Sequence, residues 1–162
     1  MGKLFIVTGP SGAGKDSVIN AVKELGLEFV QVVTTSTRQM RPHEQEGNPY
    51  YFVTREQFEN MVKDGKMAEW AEVYGNLYGC TKHEVDTKLS EHNTVIVKVD
   101  PQGARAYKKL MPEAKTIFIM PPSYDYLENR LINRETDTPT VIKQRLATAQ
   151  RELEVAEVVG RE

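Results

Sequence analysis

One run near the N-terminus constrains this chain more than any other: Gly9-Pro10-Ser11-Gly12-Ala13-Gly14-Lys15-Asp16-Ser17, set directly after the apolar stretch Leu4–Thr8. A short β-branched run that ends in glycines and passes into helix-forming residues predicts a strand, a tight turn and a helix. The spacing fits the G-x-x-x-x-G-K pattern of a phosphate-binding loop. That chemistry needs glycines, because backbone N–H groups must close around phosphate oxygens where a Cβ would block the approach. The opening turn of the helix adds its partial positive charge, and Lys15 adds a full one. Gly9, Pro10, Ser11, Gly12, Ala13, Gly14, Lys15, Asp16 and Ser17 are therefore candidate ligands of a nucleoside triphosphate. The loop by itself does not name an acceptor.

The rest of the chain supports an α/β reading. Phe29–Val33, Val95–Val99 and Thr116–Met120 predict further strands, and Lys15–Leu25, Pro101–Leu110 and Tyr124–Asn133 predict helices between them. Short β-branched strands separated by helices form a parallel sheet covered on both faces, a three-layer core. A last helix opens at Thr138-Pro139, with Ile142, Leu146, Ala149, Leu153 and Ala156 on one face. Residues 34–90 differ. Tyr50–Val53 and Met67–Tyr74 predict strands around a helix opened by the capping box Thr54–Gln57, and Thr81–Glu84 predicts a second capping box. This block is expected to be a small strand-rich lobe, inserted after the second strand so that it overhangs the carboxyl ends of the parallel strands, where ligands of such folds bind.

Composition removes several classes of function. Net charge is −2, so no global basic field favours nucleic acid, and an anionic ligand must be held by local charge. Cys80 is the only cysteine, which precludes an intrachain disulfide and suits a reducing compartment. No apolar run approaches a membrane span, and the N-terminal run is too short for a signal peptide, so a cytoplasmic location is expected. Nothing in the residue pattern specifies an oligomeric state.

Arg38 and Arg41 lie three apart among hydroxyl side chains, in Thr34-Thr35-Ser36-Thr37-Arg38-Gln39-Met40-Arg41. Planar guanidinium groups suit a dianionic monophosphate, and Tyr50 and Tyr78 would add phenolic donors. Taken alone, the arginine pair reads rather as part of a solvated polar loop.

The pair is not alone. Ser36-Thr37-Arg38-x-x-Arg41-Pro42-x-Glu44-x-x-Gly47-x-x-Tyr50-x-Phe52, then Glu69-Trp70-Ala71-Glu72-Val73-Tyr74-Gly75-Asn76-x-Tyr78-Gly79, Val99-Asp100-x-Gln102-Gly103-Ala104, Pro121-Pro122-Ser123 and Arg145-Leu146 follow in order. This set resembles the guanylate kinases from the phosphate loop to about Glu157. The resemblance implies a nucleoside monophosphate kinase that moves the γ-phosphoryl group of ATP to GMP with Mg²⁺. It places Arg38, Arg41, Tyr50 and Tyr78 on the GMP phosphate, and Thr34, Glu69, Cys80 and Asp100 around guanine. A carboxylate accepts from guanine's adjacent N1–H and N2–H₂ and repels the unprotonated N1 of adenine. Asp100 also reads as a plain helix cap, and Glu69 as a solvated strand residue. Lys15, Arg134 and Arg145 fall at the catalytic positions, with a lid over 134–140. Arg130, beside them, reads equally as a helix-surface arginine. The implied layout is one domain over 1–162: a core of 1–33 and 91–162 and a GMP-binding lobe of 34–90.

The chain departs from the family at several places. Asp16 stands where Ser or Thr usually ligates Mg²⁺, and is itself a candidate metal ligand. Lys98 stands where an acid is usual, and Cys80 where Ser or Thr is. The family's final strand and helix have no counterpart before Glu162. Asp16 and Lys98 are expected to face each other across the nucleotide crevice, with Asp16 either on the metal or paired to Lys98. Two other functions remain in view. Kinases acting on ribose bisphosphate also carry a Gly-Lys-Asp-Ser loop, although they lack the Arg38/Arg41/Tyr50 pattern. Guanylate-kinase-like scaffold modules bind phosphorylated peptides, although they have no need of an intact phosphate loop.

Overall fold

The computed structural model describes residues 2–73, 75–132 and 138–159. Four strands form a fully parallel sheet: β1 (Lys3–Thr8), β2 (Val30–Gln31), β8 (Thr94–Lys98) and β9 (Lys115–Phe118), in the order β2-β8-β1-β9. Alternation along the two central strands decides which side each residue serves. Leu4, Ile6, Val95 and Val97 point to one face, where Val85 and Leu89 of α3 (Lys82–Glu91) and Ala104 and Tyr107 of α4 (Pro101–Leu110) bury against them. Phe5, Val7 and Ile96 point to the other face and pack on Ile19 of α1 (Lys15–Glu24). The result is the expected three-layer core. The second strand is shorter than its apolar run predicts. Only Val30 and Gln31 pair with β8, and Val32 adds a single backbone bond to Ile96.

The strand-rich block forms its own mixed sheet, β4-β5-β3-β7-β6, from β3 (Thr34–Ser36), β4 (Gln45–Glu46), β5 (Pro49–Phe52), β6 (Met67–Val73) and β7 (Asn76–Thr81). Helix α2 (Arg55–Lys63) buries Phe58 against Met67 and Leu77 of this sheet. Its capping box is complete: Gln57 N donates to Thr54 Oγ1, and Thr54 N donates to Gln57 Oε1. The second box is only half made. Glu84 N donates to Thr81 Oγ1, but the Glu84 carboxylate instead accepts from Val33 N, tying α3 to the chain as it leaves the parallel sheet. Cys80, Val85 and Leu4 share one buried cluster, so apolar packing runs from the lobe into the core without a break.

Two more helices close the structure, α5 (Tyr124–Ile132) and α6 (Pro139–Val159). Leu127 and Leu131 of α5 bury against Ala149, Ile142 and Leu146 of α6, three of the five positions expected from the helical spacing, the Ala156 side chain lying outside the described residues. No helix among the described residues is long and apolar enough to cross a membrane.

Candidate active site

The carboxyl ends of β1 and β8 open into a cleft of about 740 Å³, walled on the other side by the lobe and by α6. Backbone conformation explains the glycines of the loop. Gly9, Gly12 and Gly14 have φ of 144°, 87° and 94°, a region that side chains disfavour. A Cβ on Gly9 would lie 2.4 Å from the Ile119 carbonyl oxygen, and one on Gly14 would lie 2.9 Å from Arg130 Nη1. Lys15 Nζ turns back to donate to the Gly9 and Pro10 carbonyls at 2.6 and 3.1 Å. Burial lowers its pKa, against the opposing pull of Glu152. Arg130 lies on the loop: its guanidinium reaches Ser17 Oγ at 3.5 Å and Tyr126 Oη at 3.2 Å.

Asp16 and Lys98 meet, as expected, and do so directly. Lys98 Nζ donates to Asp16 Oδ1 at 2.5 Å. Among the described residues no cluster of three or more His, Cys, Asp or Glu side chains is placed to hold a metal by itself.

On the lobe side, Tyr50 and Tyr78 reach the cleft wall and stack edge to face with centroids 5.9 Å apart. Arg38 sits behind them, its guanidinium 5.4 Å from the Tyr50 ring centre and 5.6 Å from that of Phe52. Glu44 organises the loop. One oxygen accepts from Arg38 Nη2 at 2.7 Å, and the other accepts from the Arg41 backbone N–H at 2.8 Å. The Arg41 side chain is exposed.

Two of the four residues expected around guanine, Glu69 and Asp100, meet at Gly103. Asp100 Oδ1 accepts from Gly103 N at 2.7 Å and so caps α4, with Pro101 in its first turn. Asp100 also lines the cleft, so the cap and the site use the same residue. A Cβ on Gly103 would lie 3.3 Å from both Asp100 Oδ1 and Glu69 Oε2, which shows how closely the two carboxylates approach. Burial, then the charge of Asp100, pushes the Glu69 carboxyl up to about 7. Cys80 pairs with Glu69 across β6 and β7, buried, with Sγ directed to the Val33 and Thr81 carbonyls. Burial pushes its thiol up to about 12. Thr34 opens β3, in register with Tyr50.

Arg145 lines the cleft from α6. Arg134 and the lid residues 134–137 lie outside the described residues. Sequence reasoning missed Glu152 and Arg105, which also line the cleft. The signal for Glu152 was present: it follows Arg145 by seven residues, two helical turns, and so shares its face.

Known proteins resemble this chain over nearly its whole length. The guanylate kinase family model matches residues 1–159. A guanylate kinase of Synechocystis sp. is 39% identical over 155 residues, covering 96% of this chain and 81% of the relative. One of Nocardia farcinica is 44% identical over 154 residues, covering 94% and 80%. Among solved structures, the guanylate kinase from Anaplasma phagocytophilum superposes with a TM-score of 0.73 at 32% identity, covering 97% of this chain and 73% of that one. Sequence, family pattern and fold agree, and the chain belongs to the guanylate kinase family.

Proposed function

We propose that this protein transfers the γ-phosphoryl group of ATP to GMP, giving ADP and GDP. The observation that carries this reading is the single cleft that joins the loop Gly9–Lys15 to Tyr50, Tyr78 and Asp100. A donor site and an acceptor site opening on one cavity is what in-line transfer requires. The acceptor needs no strong base, because a GMP phosphate is already an anionic nucleophile.

The roles follow from chemistry and position. Loop N–H groups and Lys15 hold the β- and γ-phosphates. Arg38, Arg41, Tyr50 and Tyr78 hold the GMP phosphate. Glu69 and Asp100 accept from guanine's N1–H and N2–H₂, with Thr34 and Cys80 completing the pocket. Arg145, and Arg134 from the lid, supply positive charge to the transferring group. The layout behind these roles is a core of 1–33 and 91–162, a GMP-binding lobe of 34–90 and a lid of 134–140. Mg²⁺ arrives with ATP. A site offering one exposed carboxylate, Asp16, suits an ion that keeps its waters and leans on substrate phosphates. When bound, Mg²⁺ would offset phosphate charge, and Asp16, whose Oδ1 is paired with Lys98, would be the residue to hold it. A reducing cytoplasmic setting fits the single buried thiol.

The glycine geometry of the loop weighs against a peptide-binding module, and the lobe's arginine–tyrosine set weighs against a ribose bisphosphate kinase. The test is ADP formation from ATP in the presence of GMP, AMP, CMP, UMP or ribose 1,5-bisphosphate. Turnover with GMP well above the rest is expected. Equal turnover of AMP and GMP, or none with any acceptor, overturns the reading.

A further inference from the structure

Glu152 is a carboxylate on the cleft wall for which the mechanism above has no use. It is carried by α6 on the face that holds Arg145, and it is partly buried. Its Oε2 is shielded from solvent with no hydrogen-bond partner among the described residues. Three groups face it from other elements. Burial, then the charge of Asp100 at the start of α4, pushes its carboxyl up to about 6, while the Lys15 ammonium and the Ser11 backbone N–H pull it down. Glu152 is also the largest opposing charge acting on Lys15.

Those two donors are the ones a phosphate loop offers to its ligand. A carboxylate oxygen and a phosphate oxygen make the same kind of charge-assisted bond to N–H groups. A buried carboxylate placed for stability alone would have both oxygens satisfied, since an unpaired one is costly. Here one oxygen is unpaired, and Lys15 Nζ gives its hydrogen bonds to the Gly9 and Pro10 carbonyls. The polyanionic chain of a nucleotide and an ionised Glu152 cannot share these donors without strong like-charge repulsion.

We propose that Glu152 holds a negative charge on the phosphate side of the open cleft, which Ser11 and Lys15 also line, and that the phosphates of the entering nucleotide displace it. The proposal rests on reading the loop as the ATP site.

The experiment is calorimetric titration of ADP, and separately of GMP, into the unaltered protein, Glu152→Gln and Glu152→Asp. Removing the competing charge in Glu152→Gln should tighten ADP by roughly fivefold or more. Glu152→Asp keeps the charge and should stay close to the unaltered protein, and GMP affinity should not move in either variant. ADP affinity that is unchanged or weaker in Glu152→Gln overturns the proposal, as does an equal gain for GMP. A merely structural role would weaken both ligands together. If Glu152→Gln does not fold, Glu152→Met, of similar length, carries the same expectation. A failure of the GMP kinase reading is distinguishable, because it appears as absent GMP-dependent turnover in the unaltered protein whatever the ADP comparison gives.

Discussion

Lys98 Nζ and Asp16 Oδ1 lie 2.5 Å apart, joining the carboxyl end of β8 to the first turn of α1 beside the phosphate loop. The family usually has a neutral hydroxyl at position 16 and an acid at position 98, so this chain carries an acid where the family has a hydroxyl and a base where the family has an acid. The side chains are 68% and 37% exposed for Asp16 and Lys98, so the pair matters little for stability. Its consequence lies in the charge presented to the nucleotide. Asp16→Ser alone leaves Lys98 unpaired beside the loop, and Lys98→Asp alone places two carboxylates together. The double change should recover part of either loss, with a coupling of about 0.5–3 kcal/mol in kcat/KM. A double-mutant cycle over a Mg²⁺ titration checks this, and strictly additive effects would show that the two residues act independently.

Glu44 holds both ends of the arginine loop, one oxygen on the Arg38 side chain and the other on the Arg41 backbone. Arg38→Ala and Arg41→Ala should each raise the KM for GMP far more than the KM for ATP, because both lie on the lobe. Glu44→Gln should act in the same direction but less strongly, as a charged hydrogen bond becomes neutral. Steady-state kinetics with each substrate varied in turn decides it. A rise confined to ATP would move the acceptor site elsewhere.

Glu69, with its carboxyl near 7, gives the site a pH dependence of known sign. Guanine's paired donors need the ionised form, so GMP should bind more weakly as pH falls below about 7. Stability should run the other way. Between about 4.5 and 7 the folded protein keeps a proton that the unfolded chain has released, so stability falls as pH rises through that window and levels off above it. The total is at most about 3 kcal/mol. Glu69→Gln should flatten both profiles and weaken GMP by about 1–3 kcal/mol. Titration of guanosine, which has no phosphate to ionise, separates Glu69 from the ligand's own protonation. A profile unaltered by Glu69→Gln would assign the effect to another group.

The complete capping box of α2 gives a prediction confined to the lobe. Thr54→Ala removes the acceptor for Gln57 N and should cost about 1 kcal/mol of stability. Because α2 packs against its own sheet through Phe58, Met67 and Leu77, GMP affinity should fall while ATP binding persists. Thermal melts and separate ligand titrations measure the two effects.

Much of the molecule was legible in the residue order because the interactions that specify it are local. The phosphate loop is written in its glycines, whose positive φ values only that residue adopts freely. The β1 and β8 alternation assigned their two faces, and α6 showed its buried stripe by spacing alone. The Thr54 capping box closed as its four residues predict.

Tertiary structure decided what depends on distant partners. Glu84 abandoned half of its own capping box for Val33, fifty-one residues away, because that N–H had no strand partner to satisfy it. Asp100 became a cap and a cleft residue at once, since one carboxylate has oxygens enough for both. The pairing of Asp16 with Lys98, rather than its separation from it, was settled by parallel β1 and β8 lying side by side. Glu152 acquired its place beside Ser11 and Lys15 only when α5 and α6 packed together and brought a helix from the far end of the chain onto the loop. A sequence fixes which groups a segment carries; the field and the neighbours each group meets are set by how the segments pack.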